Sequence, residues 1–515
     1  MKRQPSGASS NESFGFQRPA PIGGWNTRDA LATMPRNDAI ILDNFFPGPG
    51  GLAGRKGYTS FATTPSNHPI QSLLPYATPG GTQTLFAVGD TAIYNITAGG
   101  AISTVSSVVT NAKWQYVNQT TAGGSFLWIC NGVDKARYWD GAAWTILDTV
   151  SSPALTGVTS TSIINVSLFK TRLMLTCINS LSFWYLPVVA VAGAASEFPL
   201  GSVFKRGGYL MATESWTLDS GFGPDDRFAA VTSEGELVIY EGTDPSNAAT
   251  WSLQGLFFVG KPLGRRCFVR IGGDLYVLTV GGIISLTKLL NSSVAQRTVS
   301  VSDKIDDFFS EVVAAYGNLF GWQAVVYPEA PLLLVNVPLT STLSWQFAMN
   351  TDTGAWSRFT NQNSAVWSYF DGNIYFSLGS NTYKAWTGAN DNGSAISFRA
   401  KTAFQSPAGG RNSQIRMVRP IFTSTAALSM ALSLDSDYSN AIDTSQSTTF
   451  AQTVGLWDTA LWDTATWSGN LTVSNWKTVV HKPGRVFSLR MQMSLLNVTV
   501  SWSATDFLAA PGGLI

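Results

Sequence analysis

Short runs of β-branched, aromatic and leucine side chains recur along the chain between about residues 82 and 386. Each run ends at Gly, Asn, Asp or Pro, which favour turns and terminate strands. Several pairs of runs flank a tight Gly or Asn turn, the pattern of a β-hairpin. The pattern therefore predicts successive hairpins, in the segments TLFAVGDTAIYNI, FLWICNGVDKARYWDG, RLMLTCINSLSFWYL, ELVIYEGT, DLYVLTVGGIISLTK, PLLLVNVPL and NIYFSLGSNTYKAW.

These hairpins repeat at a spacing of roughly 40 to 58 residues, close to the period of about 40 to 50 residues of propeller blades. We therefore predict an all-β fold with a β-propeller of about six or seven blades over residues 61–390. Comparable segments begin near Gly80, Gly123, Ser167, Asp225, Arg265, Phe320 and Ala365.

Two turns contain Asp, Gly and Trp in close succession. They resemble the Asp-box hairpins of some propellers, in which Asp caps the turn, Gly takes a positive φ and Trp packs beneath. We predict this structural role for Asp140, Gly141 and Trp144 in YWDGAAWTI and for Asp352, Gly354 and Trp356 in NTDTGAWSRF.

Two segments have helical periodicity. In VSDKIDDFFSEVVAAYGNLF, apolar residues recur at helical spacing from Ile305 to Tyr316, behind a capping residue at Ser302, and the helix is expected to end near Gly317. A shorter helix is predicted after Pro35, with Ala39, Leu42 and Phe46 on one face, ending at Pro47.

From about residue 394 the pattern changes to longer alternating runs, which are typical of an antiparallel sandwich or barrel. We place a domain boundary near Gly388–Gly393 and predict a platform domain over residues 391–515. Residues 19–60 are expected to dock on this platform, and residues 1–18 to form a flexible tail.

Within the platform, LWDTALWDTATW places Trp457, Trp462 and Trp467 five residues apart. This interval gives neither a helical stripe nor a single strand face, since five residues turn a helix by about 140° and an odd interval changes strand face. We interpret the segment as short extended pieces joined by Asp-Thr bends. The rings then lie in a core or subunit interface, or form an exposed binding platform.

Charged residues make up 13% of the chain, about half the share of roughly 25% that is typical of soluble proteins, and the formal net charge is +1. This composition suits a β-rich assembly protein and gives no overall attraction to nucleic acid or anionic membrane. The three cysteines are widely spaced and odd in number, so we expect no disulfide framework and a reducing compartment during folding. No apolar run reaches the roughly 20 residues that span a bilayer, and the N-terminus does not resemble a secretory signal.

Few residues suggest catalysis. With only His68 and His481, no imidazole metal cluster can form, and neither histidine lies in a nucleophile-elbow context. We expect no catalytic, metal or cofactor residue. Acid pairs that a glycosidase could use occur, but such neighbours usually decorate turns or strand faces; they are Asp225 with Asp226, Glu234 with Glu236, and Asp306 with Asp307.

Basic residues cluster locally. They form either a solvated or salt-bridged face or a patch that contacts DNA phosphate or an acidic partner. The clusters are Lys205 with Arg206, Arg265 with Arg266, and Arg399, Lys401, Arg411, Arg416 and Arg419 without an acid between them.

The segment from Pro19 to Tyr58 resembles the start of the tail nozzle proteins of short-tailed bacteriophages, also called tail tubular or packaged-DNA stabilisation proteins. That family has a G-x-N-x-R/D segment, a short helix of the form MP-x-x-x-A-x-x-L-x-N-F/W-F-P and an R-x-G-Y strand. FKRGGYLMATESWTLDSGFGPDDRFAAVTSEGELVIYEGTDPS, PLGRRC and the Trp segment add to the likeness. The matching N-terminal positions are Gly24, Asn26, Arg28, Met34, Pro35, Ala39, Leu42, Asn44, Phe45, Phe46, Pro47, Arg55, Gly57 and Tyr58.

The resemblance implies a propeller on a platform built from the terminal segments, with six copies ringed around the DNA exit of a virion tail. It implies folding in the host cytoplasm, no enzymatic activity and no cofactor. The implied partners are the chain itself, the head–tail adaptor ring, tail fibre or spike proteins, and double-stranded DNA bound without sequence specificity. Trp25, Asn26, Arg28, Phe45, Phe46, Arg55 and the three tryptophans are then structural or interface residues.

Two other functions fit parts of the sequence. A carbohydrate-binding or carbohydrate-cleaving propeller would use exposed tryptophans and an acid pair. A free-standing cellular scaffold would explain the repeats but not the N-terminal motif.

Overall fold

The computed structural model describes residues 13–65, 69–81, 83–219, 224–291, 300–407, 411–439, 446–450, 471–479 and 482–511. The described residues belong to two compact units. The sandwich unit lies within Met1–Gly57, Ala348–Phe359 and Gly388–Ile515, and the propeller unit within Tyr58–Phe347 and Thr360–Thr387.

Strands form most of the regular structure in both units. From the N-terminus to the middle of the chain they are β1 (Phe14–Pro19), β2 (Gly24–Trp25), β3 (Asp38–Asp43), β4 (Phe45–Gly48), β5 (Gly51–Gly54), β6 (Tyr58–Thr63), β7 (Ser72–Ala77), β8 (Gln83–Val88), β9 (Ala92–Asn95), β10 (Gly100–Ala101), β11 (Val105–Val108), β12 (Gln115–Thr121), β13 (Gly124–Cys130), β14 (Arg137–Trp139), β15 (Trp144–Ile146), β16 (Leu155–Thr156), β17 (Ile163–Phe169), β18 (Arg172–Cys177), β19 (Ser182–Tyr185), β20 (Gly193–Ala194) and β21 (Ser196–Pro199).

The remaining strands are β22 (Leu210–Asp219), β23 (Pro224–Thr232), β24 (Glu236–Gly242), β25 (Trp251–Phe258), β26 (Phe268–Ile271), β27 (Asp274–Thr279), β28 (Gly282–Ser285), β29 (Gln323–Tyr327), β30 (Leu332–Pro338), β31 (Ser344–Asn350), β32 (Trp356–Phe359), β33 (Val366–Phe370), β34 (Asn373–Leu378), β35 (Asn381–Ala385), β36 (Ile396–Thr402), β37 (Ser413–Ser424), β38 (Leu428–Ser436), β39 (Gln446–Phe450), β40 (Leu471–Val473), β41 (Lys477–Thr478), β42 (Phe487–Leu495) and β43 (Val500–Pro511). In the described part of the chain, two α-helices, α1 (Leu286–Leu290) and α2 (Asp306–Tyr316), interrupt them.

The propeller unit contains seven blades within its described residues, in agreement with the predicted fold class. The blades are mainly antiparallel, and in blades 1 to 6 the strands follow one another along the chain. The blades are β7–β9 with β11 (blade 1), β12–β15 (blade 2), β17–β19 with β21 (blade 3), β22–β25 (blade 4), β26–β28 (blade 5), β29 and β30 with the part of β31 in this unit (blade 6), and β33–β35 with β6 and β10 (blade 7).

The first strands of consecutive blades lie side by side. Strand β7 contacts β12, β12 contacts β17, and the series continues through β22, β26, β29 and β33. Strand β33 then contacts β7, so these seven inner strands form a closed ring. A closed ring of consecutive antiparallel sheets is the defining feature of a β-propeller.

Blade 7 combines strands from the two ends of the unit. Strand β6 pairs antiparallel with β35, from Tyr58 opposite Ala385 to Thr63 opposite Asn381. The chain thus closes the ring by returning to the sheet in which it began.

Apolar clusters lie between blades 7 and 1, 1 and 2, 2 and 3, and 3 and 4. Between blades 3 and 4, Phe169, Phe183, Phe228 and Trp251 form one aromatic cluster with ring centroids 5.1 to 6.5 Å apart. Rings of this size bury large apolar areas and gain further from tilted contacts. The blades are therefore held face to face by side chains from both neighbours.

Helix α2 confirms the predicted amphipathic helix, because Phe309, Val312 and Val313 are buried. Its start differs from the prediction. A short 3₁₀ turn, Asp303–Ile305, precedes it, and the Ser302 hydroxyl donates to the Asp306 carboxylate rather than capping a backbone N–H of α2.

One predicted Asp-box turn has the expected capping. The Asp140 carboxylate accepts hydrogen bonds from the Ala142 and Ala143 N–H groups at 2.8 and 2.7 Å, and Gly141 has a φ of 100°. In the other turn, Asn350 replaces Asp352 as the cap and accepts from the N–H groups of residues 352 and 353, so the predicted cap was wrong. Gly354 has a positive φ, and Trp356 is fully buried.

The described residues of the sandwich unit form two sheets. One has the strand order β4-β5-β43-β37-β40, with β1 beside β43 and β41 beside β37. The other runs β32-β3-β36-β42-β38-β39 within this unit, with β2 beside β3. Phe45 and Trp502 of the first sheet lie 6.4 Å apart, and Phe45 lies 5.2 Å from Phe398 of the second.

Two local predictions in this unit were wrong. Residues 38–48 form β3 and β4 instead of a short helix, because β3 pairs with β36 and β32 and gains ladder hydrogen bonds on both sides. The predicted flexible tail also extends too far, since Phe14–Pro19 forms β1 and pairs with β43.

No helix in the described part of the chain is both long and apolar enough to cross a membrane.

Candidate functional site

The ring of inner strands encloses a cavity on the propeller axis, which we call the axial cavity. Its volume is about 380 Å³. Every inner strand contributes at least one residue to its wall, so its chemistry is assembled from all seven blades. One such residue from each strand in turn is Leu73, Tyr116, Asn165, Glu214, Arg270, Gln323 and Ser368.

A second cavity of about 470 Å³, the mouth cavity, is lined mainly by segments that lead into the inner strands. Lys113 and Phe320 lie in its wall. Gln115, Arg265 and Arg266 line both cavities and therefore mark the level at which the two spaces adjoin.

Arg266 spans the boundary between the cavities. It precedes blade 5, yet its Nη2 donates to the Gln71 carbonyl at 3.0 Å, the Ser72 hydroxyl at 2.8 Å and the Trp114 carbonyl at 3.0 Å. Gln71 and Ser72 are at the start of blade 1, and Trp114 directly precedes blade 2. The guanidinium therefore reaches across the ring and ties three blades together.

Arg265 makes a parallel connection. Its Nη1 donates to the Asn131 carbonyl of blade 2 at 3.0 Å. Burial lowers the pKa of Arg265, and it lowers the pKa of Arg266 to about 10. Within the described residues, both guanidinium groups donate to carbonyl and hydroxyl oxygens rather than to carboxylates, so no acid neutralises them through these bonds.

Phe320 lies between two of the cations. Lys113 Nζ is 4.7 Å from the centroid of its ring, and the Arg266 guanidinium carbon is 5.4 Å away. The negative face of an aromatic ring attracts such cations. Phe320 therefore helps to hold positive charge at the mouth cavity.

Tyr116 lies in the axial cavity with 39% of its surface exposed. Removal from bulk water raises the pKa of this phenol, while the Ser368 side chain and the charge of Arg266 act in the opposite direction. Glu214, which also lines this cavity, forms an ion pair with Arg270. Among the described residues, Glu214 is the carboxylate that lines the axial cavity, whereas the charged residues of the mouth cavity are all basic.

The structure separates the predicted basic clusters. Arg265 and Arg266 lie at the two cavities. Lys205 and Arg206 do not line either cavity, and their N–H groups donate to the Glu236 carboxylate. The Arg206 guanidinium lies 3.9 Å from the Phe258 ring centroid.

In the sandwich unit, the basic run that lacks acids in the sequence is partly neutralised by folding. Arg419 pairs with Asp506, and Lys401 pairs with Asp435 at 2.7 Å. Arg411 is exposed, and Arg416 Nη1 donates to the Ser13 hydroxyl at 3.3 Å.

The N-terminal motif residues build the sandwich unit. Trp25 is buried beneath the Arg358 guanidinium, at 5.5 Å from the ring centroid. Asn26 is also buried, accepts from the N–H groups of Arg28 and Asp29, and donates to the carboxylate of Asp38 at 2.7 Å. The Arg28 side chain forms an ion pair with Asp29.

The second half of the motif forms a buried polar network. Arg55 donates through two nitrogens to the Asp391 carboxylate, at 2.8 and 2.6 Å, and through Nε to the Asn44 side-chain oxygen at 2.7 Å. Asn44, at a φ of 61°, donates to the Ser397 carbonyl. Phe45 and Phe46, which follow Asn44 in the chain, are buried.

Several candidates lie outside the described residues, namely Trp457, Trp462, Trp467, His68 and His481. The described acids have structural partners, since Glu234 pairs with Lys261, and Asp226 accepts from the Thr217 hydroxyl. Within the described residues there is no group of His, Cys, Asp and Glu suited to hold a metal.

The sequence did not reveal Lys113, Gln115, Tyr116 or Phe320 as site residues. They lie at or just before inner strands, and only closure of the ring brings them together with Arg265 and Arg266. One sequence signal could have indicated the cavity, namely a polar residue near the start of several inner strands, such as Gln115, Asn165 and Gln323.

No protein-family model matches this sequence. No curated protein matches it either. Among solved structures, the chain is similar to Raptor of Chaetomium thermophilum, with a TM-score of 0.39 and 9% identity over 64% of this chain and 28% of that chain. It is also similar to BBS1N in complex with ARL6DN, with a TM-score of 0.38 and 10% identity over 64% of this chain and 96% of that chain. For YCF48 from Cyanidioschyzon merolae the TM-score is 0.34, with 10% identity over 64% and 98% of the two chains.

The chain thus spans little more than a quarter of the Raptor chain. Because the TM-scores are below 0.5, the propeller assignment rests on the closed ring of inner strands described above.

Proposed function

We propose that this chain is a virion structural protein that forms the tail nozzle of a short-tailed bacteriophage. Several copies, six by the family resemblance, surround a conduit through which double-stranded DNA is retained and later ejected. The head–tail adaptor ring and tail fibre or spike proteins are the expected neighbours. The protein acts mechanically, without an enzymatic step.

The N-terminal motif is the observation that supports this proposal most directly. Asn44 and Arg55, two of the positions that resemble the nozzle family, form a buried network with Asp391, far along the chain. Gly57 lies so close to the Asn390 carbonyl that a Cβ atom would come within 1.7 Å. The motif therefore joins the N-terminal segment to the C-terminal part of the sandwich unit.

Composition supports an assembled protein with a passage for DNA. With a net charge of +1, a ring of these chains would not grip phosphate strongly as a whole. The propeller axis is not a suitable conduit, because Arg265 and Arg266 reach across it. In this proposal, DNA passes through the opening that the copies surround, rather than through any single propeller.

Electron microscopy of the purified chain and of a virion that contains it tests the proposal. We expect a closed ring on the particle axis, below the adaptor, with an opening wide enough for duplex DNA. A chain that lacks Met1–Tyr58 is expected to be absent from the particle, since the N-terminal segment is part of the sandwich unit.

A monomer at all concentrations, or a peripheral position on fibres, would contradict the nozzle function. Glycan binding by such a monomer would instead support a carbohydrate-binding propeller.

A further inference from the structure

We propose that the mouth cavity of the propeller binds a small organic molecule that carries a phosphate-type oxyanion. The site is formed by Lys113, Arg265, Arg266 and Phe320, together with the apolar residues beside them. It lies within a single propeller, so it exists in each copy whether or not the copies form a ring.

The charge of the cavity wall favours an anion. Lys113, Arg265 and Arg266 all line it, and no carboxylate does among the described residues. The nearby acid Asp134 is already engaged, because it accepts from the Asn131 side chain and from the N–H groups of Thr110 and Asn111. The three cations therefore have no acidic counter-ion in the wall.

The donors suit an oxyanion. Among the hydrogen bonds of the described residues, Arg265 uses only Nη1, in its bond to Asn131, and retains Nε and Nη2 for a ligand. Lys113 is exposed, and its Nζ contacts the Phe320 ring. Arginine and lysine form strong charge-assisted hydrogen bonds with phosphate oxygens.

Arg266 contributes mainly through its charge. Its Nη2 is occupied by three acceptors, and its Nη1 is buried without a hydrogen-bond partner. A buried cation without an acidic partner is costly to maintain. An oxyanion bound beside Arg265 and Lys113 would offset part of that cost.

The size and remaining wall of the cavity indicate an organic ligand rather than a bare ion. A volume of about 470 Å³ lies within the range of roughly 300 to 1,000 Å³ for small-molecule sites, which combine apolar walls with a few polar groups. The apolar side of the wall includes Leu263, Leu319, Phe320 and Trp322.

Binding can be measured by calorimetry on the full-length protein, with phenyl phosphate and inorganic phosphate as probes at constant ionic strength set with sodium chloride. Phenyl phosphate is expected to bind at one site per chain and more tightly than inorganic phosphate, because its ring contacts the apolar wall. Both probes should raise the melting temperature in a saturable manner.

Lys113→Met and Arg265→Gln test the site itself. Each removes one charge, and the Gln side chain keeps a donor for the Asn131 carbonyl. We expect each variant to weaken phenyl phosphate binding by roughly tenfold or more, since hydrogen bonds to charged groups are strong. Lys205→Met is the matched control, because Lys205 is exposed in the same unit and lines neither cavity; its affinity should equal that of the wild type.

Three results would overturn the proposal. One is a melting temperature that neither phenyl phosphate nor inorganic phosphate raises above its value in sodium chloride at the same ionic strength. Another is phenyl phosphate binding no tighter than inorganic phosphate, and the third is an equal loss of affinity in folded Lys113→Met and Lys205→Met proteins.

Discussion

At the scale of single residues, Arg55 and Asp391 form a deeply buried ion pair in the sandwich unit. The two side chains are 0% and 4% exposed, and Arg55 binds the carboxylate through two nitrogens. Such a pair does not add much net stability, because both charges lose water on folding. Removing one partner is different, since the other charge then stays buried alone.

Arg55→Met should therefore lower the free energy of unfolding by about 3 to 5 kcal/mol. The measurement is urea denaturation of the full-length protein followed by tryptophan fluorescence, with the sandwich-unit transition read separately if the units unfold in two steps.

Lys135→Met is the control for this prediction. It removes a cation of an ion pair in which the Lys135 and Asp148 side chains are 50% and 23% exposed. Exposed pairs contribute about 1 kcal/mol at most, so this variant should remain close to the wild type. A similar small effect in both variants would show that Arg55 is not essential to the fold.

The sequence alone could not show which residues form these ion pairs. Arg419 lies in a run without acids, yet β37 pairs with β43 in a register that places Asp506 directly opposite it. The resemblance marked Arg55 as important, but its partner lies 336 residues away. Ion pairing across a sheet depends on strand register, which local patterns do not give.

At the scale of elements, hairpin prediction succeeded where an apolar run was followed by a clear turn residue. In β27 and β28, for example, Asp274–Thr279 and Gly282–Ser285 coincide with the segment GDLYVLTVGGIISL. The predicted helix after Pro35 failed, because spacing of apolar residues at Ala39 and Leu42 also suits a strand enclosed between neighbours. Tertiary pairing overrode local periodicity there.

Strand β6 allows a test at this scale. Ala62 pairs with Thr382 of β35 on one side and with Gly100 of β10 on the other. Proline removes the backbone donor and is poorly tolerated in a strand with neighbours on both sides. Ala62→Pro should therefore abolish hydrogen-exchange protection throughout blade 7 and reduce the thermal stability of the propeller unit.

Ala101→Pro is the comparison for this variant, because β10 has two residues and lies at the outer edge of blade 7. Protection of β34 and β35 should persist in that variant. Retained protection of blade 7 in Ala62→Pro would refute the view that β6 closes the ring.

At the scale of the whole molecule, the sequence predicted the fold class and a propeller of about six or seven blades, since each blade has its own local pattern. It could not predict the candidate site. Lys113, Arg265 and Phe320 lie just before the first strands of three different blades, and only closure of the ring brings them together.

The propeller also contains groups whose titration is linked to folding. Burial raises the pKa of Cys177 from 9.0 to about 11, that of Cys267 from 9.0 to about 12, and that of Tyr276 to about 12. In the unfolded chain the thiols lose protons near pH 9, while in the folded chain they keep them. The unfolded state therefore binds fewer protons above pH 9, and stability falls as pH rises.

We expect the urea midpoint of the propeller to decrease steadily from pH 9 to pH 11. Cys177→Ala should show a shallower decrease, whatever its stability at pH 8, because one linked group is gone. Identical slopes for the two proteins would exclude a contribution from this thiol.

The pairing of β6 with β35 also determines when the protein can finish folding. Thr63 and Asn381, which meet in this sheet, are 318 residues apart, so a ribosome that adds about 5 to 20 residues per second needs roughly 15 to 65 s to deliver the second strand after the first. During that interval the edge of β6 that will face β35 has no partner on the nascent chain, and such an edge can pair with the β35 of a neighbouring copy. Closure of blade 7 therefore requires synthesis past β35, since a chain that terminates before residue 381 cannot supply its own closing strand.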